Sequence, residues 1–182
     1  PNLMISAYAG CGKTSTIEMI AQEQTKVSAL ALAFNVKIKK ELEQRLPGNF
    51  KVMTFNGLGH AALARTLGKF PSVDSLKLSK IIQTYTSDKE EKQDLKRLVT
   101  LAIQAGIVPK VFPMPGLTQD TPEEWQAIAN SEDINPRHYT NAHKILVESV
   151  KACFATSPVI SFDEQIYISS LLSGEYSKYP LI

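Results

Sequence analysis

The sequence contains few of the residues that build disulfides or metal sites. Its 182 residues include two cysteines, Cys11 and Cys153, and these form no CxxC pair. None of the three histidines has another histidine four residues away, nor a cysteine or carboxylate at the spacing of zinc ligands. We therefore expect neither a disulfide framework nor a structural metal centre, as is usual in a reducing compartment.

Long apolar runs are also missing. No run approaches the roughly 20 apolar residues that a transmembrane helix needs, and the first residues lack the layout of a signal peptide. Hydrophobic residues make up 43% of the chain and charged residues 21%, which is typical of a globular domain. The composition predicts a soluble intracellular protein without a membrane partner.

The net charge of +2 is too small for a protein that coats nucleic acid by charge alone. The charges are unevenly placed, however. Residues 35–69 contain seven basic and two acidic residues, whereas residues 116–134 contain five acidic residues and no base. This separation favours one side that faces a polyanion, and the alternative is a pair of solvated helix faces.

Strands and helices are predicted to alternate in the first third of the chain. Three short apolar runs have strand length, and a helical segment follows each of them. The predicted strands cover residues 3–7, 27–34 and 51–55. The predicted helices cover residues 13–24, 35–46 and 57–67. This alternation is typical of α/β proteins with a parallel sheet.

A helical insertion is predicted to interrupt that sheet. Residues 72–154 contain no convincing strand, and residues 108–121 are a proline-rich loop. Helices are predicted at residues 75–85, 89–105, 122–129, 136–154 and 162–172. We expect their apolar stripes, such as Leu95, Leu98, Ala102 and Ile103, to form a core. The predicted domains are therefore residues 1–66 with 159–182, and an insertion of residues 67–158.

The segment AYAGCGKT, residues 7–14, fits the phosphate-binding loop, with Ala7 in the place of the usual first glycine. Glycines at positions 10 and 12 let the backbone N–H groups wrap a phosphate, and the following helix presents its positive end. Lys13 would neutralise the β- and γ-phosphates, and the Thr14 hydroxyl would hold Mg²⁺. The predicted ATP–Mg²⁺ contacts are Ala9, Gly10, Cys11, Gly12, Lys13, Thr14 and Ser15, with Lys13 and Thr14 as the catalytic residues.

Residues 159–164 imitate a Walker B strand, because three apolar or small residues precede Phe162, Asp163 and Glu164. The polar Ser161 within that run and the helix predicted to follow count against this interpretation. We therefore keep Asp163 and Glu164 as an alternative metal-holding pair and not as the expected one.

Four segments in order resemble the UvrD/Rep group of superfamily 1 DNA helicases, especially its phage and F-box-type members. They are residues 7–14, 33–42 (AFNVKIKKEL), 52–59 (VMTFNGLG) and 161–167 (SFDEQIY). The resemblance implies a RecA-like sheet and an ATP-dependent helicase or translocase that acts on single-stranded DNA. It also implies a second RecA-like domain as partner, and a cytoplasmic location in a bacterial or phage-infected cell or a nuclear one in a eukaryote.

The resemblance also implies which residues contact DNA. Phe34 would stack on a base, since an aromatic face accepts any base, and Lys37 and Thr54 would contact backbone phosphates. Asn35 and Phe55 belong to the same motifs, as does Asn56, which replaces the histidine of the family. Core packing is the alternative for Phe34 and Phe55.

Hydrolysis requires further groups. By the resemblance, the Walker B strand that supplies an Asp and a Glu begins at residues 179–182, so we expect the chain to stop before them and to bind ATP without turnover. Two other functions stay open. A small-molecule kinase would need substrate-binding arginines, yet residues 72–158 contain only Arg97 and Arg137. A non-catalytic, nucleotide-gated DNA-binding or regulatory module would need no further residues.

Overall fold

The computed structural model describes residues 4–6, 8–110, 112, 120–171, 174 and 176–182. The chain divides into two compact units. The first contains Pro1–Phe55 and Ser177–Ile182, and the second contains Asn56–Tyr176. The first unit is mixed α/β, and the second is mainly helical.

Two parallel strands form the centre of the first unit. The elements are α1 (Lys13–Glu23), β1 (Ala29–Ala33), α2 (Val36–Arg45) and β2 (Phe50–Thr54). Strand β1 pairs with β2 from Ala29 opposite Phe50 to Ala33 opposite Thr54. On the other side of β1, Leu181 forms a parallel bridge with Ala29, and the Leu30 N–H donates to the Leu181 carbonyl at 2.9 Å. The strands predicted at residues 27–34 and 51–55 are confirmed with slightly different bounds.

The strand predicted at residues 3–7 is not formed by Met4, Ile5 and Ser6. Met4 is 90% exposed, and no strand of the described chain pairs with these three residues. The prediction is wrong for them because an apolar run becomes a strand only where a neighbour supplies hydrogen bonds and buries its side chains. Leu3 and Ala7 lie outside the described residues.

The core of the first unit is small. Five side chains are buried together: Ala21, Ala33, Leu42, Leu46 and Val52. Residues 42 and 46 lie one turn apart near the end of α2, so this helix turns a leucine stripe towards the strands. Ile38, one turn earlier, is 41% exposed and does not extend that stripe.

The second unit consists of helices around one core. Its elements are α3 (Phe55–Leu67), which begins with the last residue of the first unit, β3 (Ser72–Val73), α4 (Lys77–Gln83), α5 (Lys89–Gln104), α6 (Pro122–Ser131), a 3₁₀ helix (Pro136–His138), α7 (Tyr139–Cys153), β4 (Val159–Ile160) and α8 (Glu164–Leu171). The predicted helices are confirmed with different bounds. Helix α4 is shorter than residues 75–85, the predicted helix 136–154 begins as a 3₁₀ turn, and the helix predicted from residue 162 begins at Glu164. Strand β3 pairs in parallel with β4. The expectation of no strand in residues 72–154 is wrong for Ser72–Val73, since two residues are too few to show alternation.

The apolar stripes of α5 and α7 form this core, as predicted for α5. Leu95, Leu98 and Ala102 are fully buried, and Trp125 from α6 packs in the same cluster. Helix α6 begins with a capping box, in which Thr121 and Glu124 bond each other's backbone N–H groups. Helices α3 and α8 also belong to this unit, which is therefore larger than the predicted insertion of residues 67–158. Within the described residues, no helix is long and apolar enough to cross a membrane.

Candidate nucleotide and nucleic-acid site

The predicted phosphate loop leads directly into α1. Gly10 has φ 79° and Gly12 has φ 75°, so both adopt the left-handed conformation that other residues rarely take. A Cβ at either position would meet no atom within 4 Å. The backbone conformation, and not lack of space, therefore requires glycine here. Gly12 precedes the first helical residue and offers no side-chain cap.

Lys13 lies at the first position of α1, and its side chain turns back over the loop. Its Nζ donates to the Tyr8 carbonyl at 2.7 Å, and the Cys11 N–H donates to the same oxygen at 3.3 Å. Thr14 is half-buried, whereas Ala9, Cys11 and Ser15 are exposed. The loop thus brings an ammonium group and two left-handed glycines to the amino end of a helix that has no side-chain cap, an arrangement that suits a phosphate group.

Phe34 follows β1 and is 84% exposed. The alternative that Phe34 is a core residue is therefore excluded. Asn35 caps α2, because its Oδ1 accepts from the Ile38 N–H at 2.9 Å. Lys37, in the first turn of α2, is exposed. The chain thus presents an aromatic ring and an ammonium group on either side of a structural cap.

Thr54 is the last residue of β2, and Phe55 follows it. Thr54 is opposite Ala33 in the parallel pair, so the residues that follow β1 and β2 leave the sheet at one edge. Thr54 is half-buried, and Phe55 is 49% exposed, so Phe55 is not a core residue either. Asn56 belongs to the second unit, where its Nδ2 donates to the Phe162 carbonyl at 2.9 Å. The Asn56 side chain thus makes a hydrogen bond within the helical unit, which its position in the motif did not indicate.

Glu164, one of the alternative Walker B residues, is fully buried. Its Oε2 accepts from Lys77 Nζ and from the Ser161 N–H, each at 2.7 Å. Its Oε1 accepts from the Ser149 hydroxyl at 2.7 Å. The Glu164 N–H in turn faces the Ser161 hydroxyl at 3.3 Å, which is the reciprocal pattern of a capping box.

These contacts assign Glu164 to the structure of the helical unit. Both carboxylate oxygens accept hydrogen bonds from groups of the helical unit, and the side chain is closed off from solvent. Cys153 lies beside the same pair, with its Sγ 3.2 Å from Lys77 Nζ. Burial and the nearby Glu164 carboxylate raise the pKa of Cys153 to about 12, so this thiol stays protonated and unreactive.

Sequence reasoning missed an ion-pair group in the first unit. Arg45 at the end of α2 bonds Glu18 in α1 and Glu41 in its own helix. The pair of Glu41 and Arg45 has the i, i+4 spacing that a helix favours, so the sequence carried that signal. The contact with Glu18 joins residues 27 positions apart, so no local sequence pattern predicts it.

Comparison with known proteins finds a partial likeness to a DNA helicase. A stretch of 61 residues is 38% identical to F-box DNA helicase protein 1 of Schizosaccharomyces pombe. Part of this chain is helicase-like. That stretch is 34% of this chain and 7% of the fission-yeast protein, so the chain spans a small part of the length of that relative. No protein-family model matches the chain, and no solved structure matches it. The resemblance to the UvrD/Rep group stays a prediction.

Proposed function

We propose that this chain is part of an ATP-dependent DNA helicase or translocase of the UvrD/Rep type and binds MgATP and single-stranded DNA. The observation that carries the proposal is the conformation of residues 10–13. Two left-handed glycines lead into an 11-residue helix whose first residue is a lysine. The partial likeness to a DNA helicase supports the choice of helicase over other phosphate-loop proteins.

The nucleotide would be held mainly by the backbone. With Gly10 and Gly12 in the left-handed conformation, the N–H groups of the loop and of the first turn of α1 can converge on the phosphates. The Lys13 ammonium would leave the Tyr8 carbonyl for a phosphate oxygen, which is a charged and therefore stronger acceptor. The Thr14 hydroxyl would hold Mg²⁺, which would neutralise charge between the β- and γ-phosphates.

Single-stranded DNA would bind at the carboxyl ends of the parallel strands β1 and β2. Exposed Phe34 offers a face on which any base can stack. Exposed Lys37 and the Thr54 hydroxyl would contact backbone phosphates, and these contacts carry no sequence information. Asn35 would act indirectly, because its cap fixes the first turn of α2 that carries Lys37.

Turnover would need groups beyond these. Hydrolysis of ATP requires a carboxylate that holds the metal, a base or water-positioning residue, and an arginine that stabilises the transferred phosphoryl group. Glu164 is committed to Lys77, Ser149 and Ser161. We therefore expect this chain to bind MgATP without hydrolysing it at a measurable rate.

A titration of MgATP into the chain, followed by an assay for released phosphate, tests the nucleotide part. We expect saturable binding that Lys13→Ala weakens at least about tenfold, because the loop loses its charge on the phosphates. Lys26→Ala is the matched control, since Lys26 is also an exposed lysine but lies after the carboxyl end of α1. Equal affinity in the Lys13→Ala and unmodified chains would contradict the proposed loop. Turnover that Lys13→Ala abolishes would contradict the expected lack of hydrolysis.

A further inference from the structure

Helix α1 carries Lys13 and Thr14 at its amino end, yet little of the helix is buried. Ala21 is its one buried residue. Three apolar side chains of the helix are exposed, namely Ile17, Met19 and Ile20. A single small side chain leaves the rotation of a helix about its axis poorly defined, because packing specifies a position only through interlocking shapes. Other contacts must therefore determine which way Thr14 points.

Thr14, Glu18 and Ala21 lie on one side of α1. Their spacing of four and three residues places them in a stripe along the helix. Thr14 and Glu18 are half-buried and Ala21 is buried, so this stripe is the side that faces the rest of the first unit. Thr14, the proposed Mg²⁺ ligand, is thus one turn before Glu18 on the same face.

Arg45, the last residue of α2, donates two hydrogen bonds to the Glu18 carboxylate in α1. Arg45 Nε donates to Glu18 Oε1, and an Nη of the same guanidinium donates to Glu18 Oε2 at 3.0 Å. Such a fork fixes the direction of the carboxylate as well as its distance, which a lysine cannot do. The other Nη donates to Glu41 Oε1 at 2.8 Å. The hydrogen bonds that Arg45 donates to Glu18 and then to Glu41 raise the pKa of Arg45, so the guanidinium stays charged.

A second polar contact holds the carboxyl end of α1. Asn49 Nδ2 donates to the Gln24 carbonyl at 2.9 Å and to the Val27 carbonyl at 2.6 Å. Asn49 therefore fixes the turn between α1 and β1. Because this contact is at the far end of the helix, it leaves the amino-terminal turns to be positioned by Glu18.

We infer that Arg45 is a positioning residue for the phosphate loop: through Glu18 it fixes the rotation of α1 and with it the direction of Thr14. The inference rests on the proposed function for the identity of the ligand. Arg45 and Glu18 are partly exposed, and ion pairs of this kind contribute little to folding stability. Loss of the pair should therefore act on MgATP affinity more than on the melting temperature.

A double-mutant cycle tests this role. The variants are Arg45→Gln, Glu18→Gln and the double variant, with two measurements on each: MgATP affinity, and amide hydrogen exchange of α1 without nucleotide. Lys39→Gln is the matched control, because Lys39 pairs with Glu43 within α2 at 2.7 Å and that pair does not reach α1. We expect each single variant to weaken MgATP binding about two- to fivefold, which is within the range that a partly exposed ion pair can contribute, and to speed exchange in α1. The double variant should lose no more than either single variant, since both act through one contact.

The outcomes separate this inference from the proposed function. Additive losses in the cycle, or unchanged MgATP affinity in Arg45→Gln, would overturn the positioning role while the proposed function stands. If the unmodified chain bound no MgATP, the proposed function would fail. Faster exchange in α1 of Arg45→Gln but not of Lys39→Gln would then still support the positioning of α1 by Arg45. Unchanged exchange in Arg45→Gln would overturn it.

Discussion

At the scale of single residues, Gly59 shows a requirement that no motif signals. A Cβ at Gly59 would lie 2.4 Å from the Gln165 carbonyl oxygen and 3.0 Å from Ser169 Oγ. The first of these atoms belongs to the backbone of α8 and cannot move aside without shifting the helix. Glycine is therefore needed at this position so that α3 and α8 can approach closely.

Gly59→Ala should destabilise the protein by about 1–3 kcal/mol, because an added methyl group forces the two helices apart. The cost should exceed the gain of up to about 1 kcal/mol that alanine brings to a helix interior. Gly48→Ala is the control, since a Cβ there meets nothing within 4 Å. Denaturant unfolding measures both variants. Equal midpoints for Gly59→Ala and Gly48→Ala would show that α3 and α8 do not pack this closely.

The positive φ of Gly10 and Gly12 and the helix that begins at Lys13 agree with the local backbone that the glycine and lysine spacing predicts. The role of these residues in binding phosphate stays a prediction. The sequence left Phe34 open between stacking and core packing. A single aromatic residue after an apolar run has the same local sequence in both cases. Its 84% exposure excludes core packing, and stacking on a base stays a prediction. Glu164 was ambiguous for the related reason that Asp-Glu after an apolar run suits a Walker B strand and a helix cap equally.

At the scale of elements, a buried ion pair joins three helices of the second unit. Lys77 lies in α4, Ser149 in α7 and Glu164 in α8. Lys77 Nζ donates to the Ser149 carbonyl and to Glu164 Oε2, each at 2.7 Å. Loss of one partner of a buried ion pair lowers the free energy of unfolding strongly, because the other charge is left buried and uncompensated.

Glu164→Gln should therefore lower the free energy of unfolding by about 3–5 kcal/mol. The double variant Lys77→Met with Glu164→Gln should be more stable than Glu164→Gln alone, because it removes the uncompensated ammonium. Thermal unfolding followed by circular dichroism provides the comparison, with Asp163→Asn as control for a neighbouring exposed carboxylate. A small effect of Glu164→Gln, close to that of Asp163→Asn, would mean that the pair is not buried as described.

Element prediction from the sequence succeeded where a helix has a long amphipathic stripe or a clear cap. Helix α5 is an example, with Asp88 bonded to the Glu91 N–H and five buried residues along one face. It failed for residues 4–6 and for Ser72–Val73, because pairing with a distant strand decides both cases. The register of Ser72 opposite Val159 joins residues far apart in the chain, and neither segment carries a local pattern that reveals the other.

At the scale of the whole molecule, the two units differ in the proposed site residues that they contain. The first unit contains the predicted phosphate loop, the exposed Phe34 at the carboxyl end of β1, and the Arg45–Glu18 contact between α1 and α2. The helical unit has the larger core, with buried residues drawn from each of its α-helices. The sequence predicted an α/β part and a helical part. It assigned α3 and α8 to the α/β part, and that division into domains stays a prediction. In the structure the close approach at Gly59 lies within the helical unit, and a long-range contact of this kind has no local sequence pattern.

Binding of single-stranded DNA separates a helicase from a small-molecule kinase, because MgATP binding alone would suit both. The measurement is fluorescence anisotropy of a labelled oligothymidine titrated with the chain at several salt concentrations. We expect weak binding that falls steeply with salt and that Phe34→Ala weakens by about 1–3 kcal/mol through lost stacking. Phe70→Ala, which removes a phenylalanine of the same 84% exposure from the helical unit, should leave the affinity unchanged. Equal affinities of Phe34→Ala and Phe70→Ala, with both variants folded, would show that single-stranded DNA does not stack on Phe34.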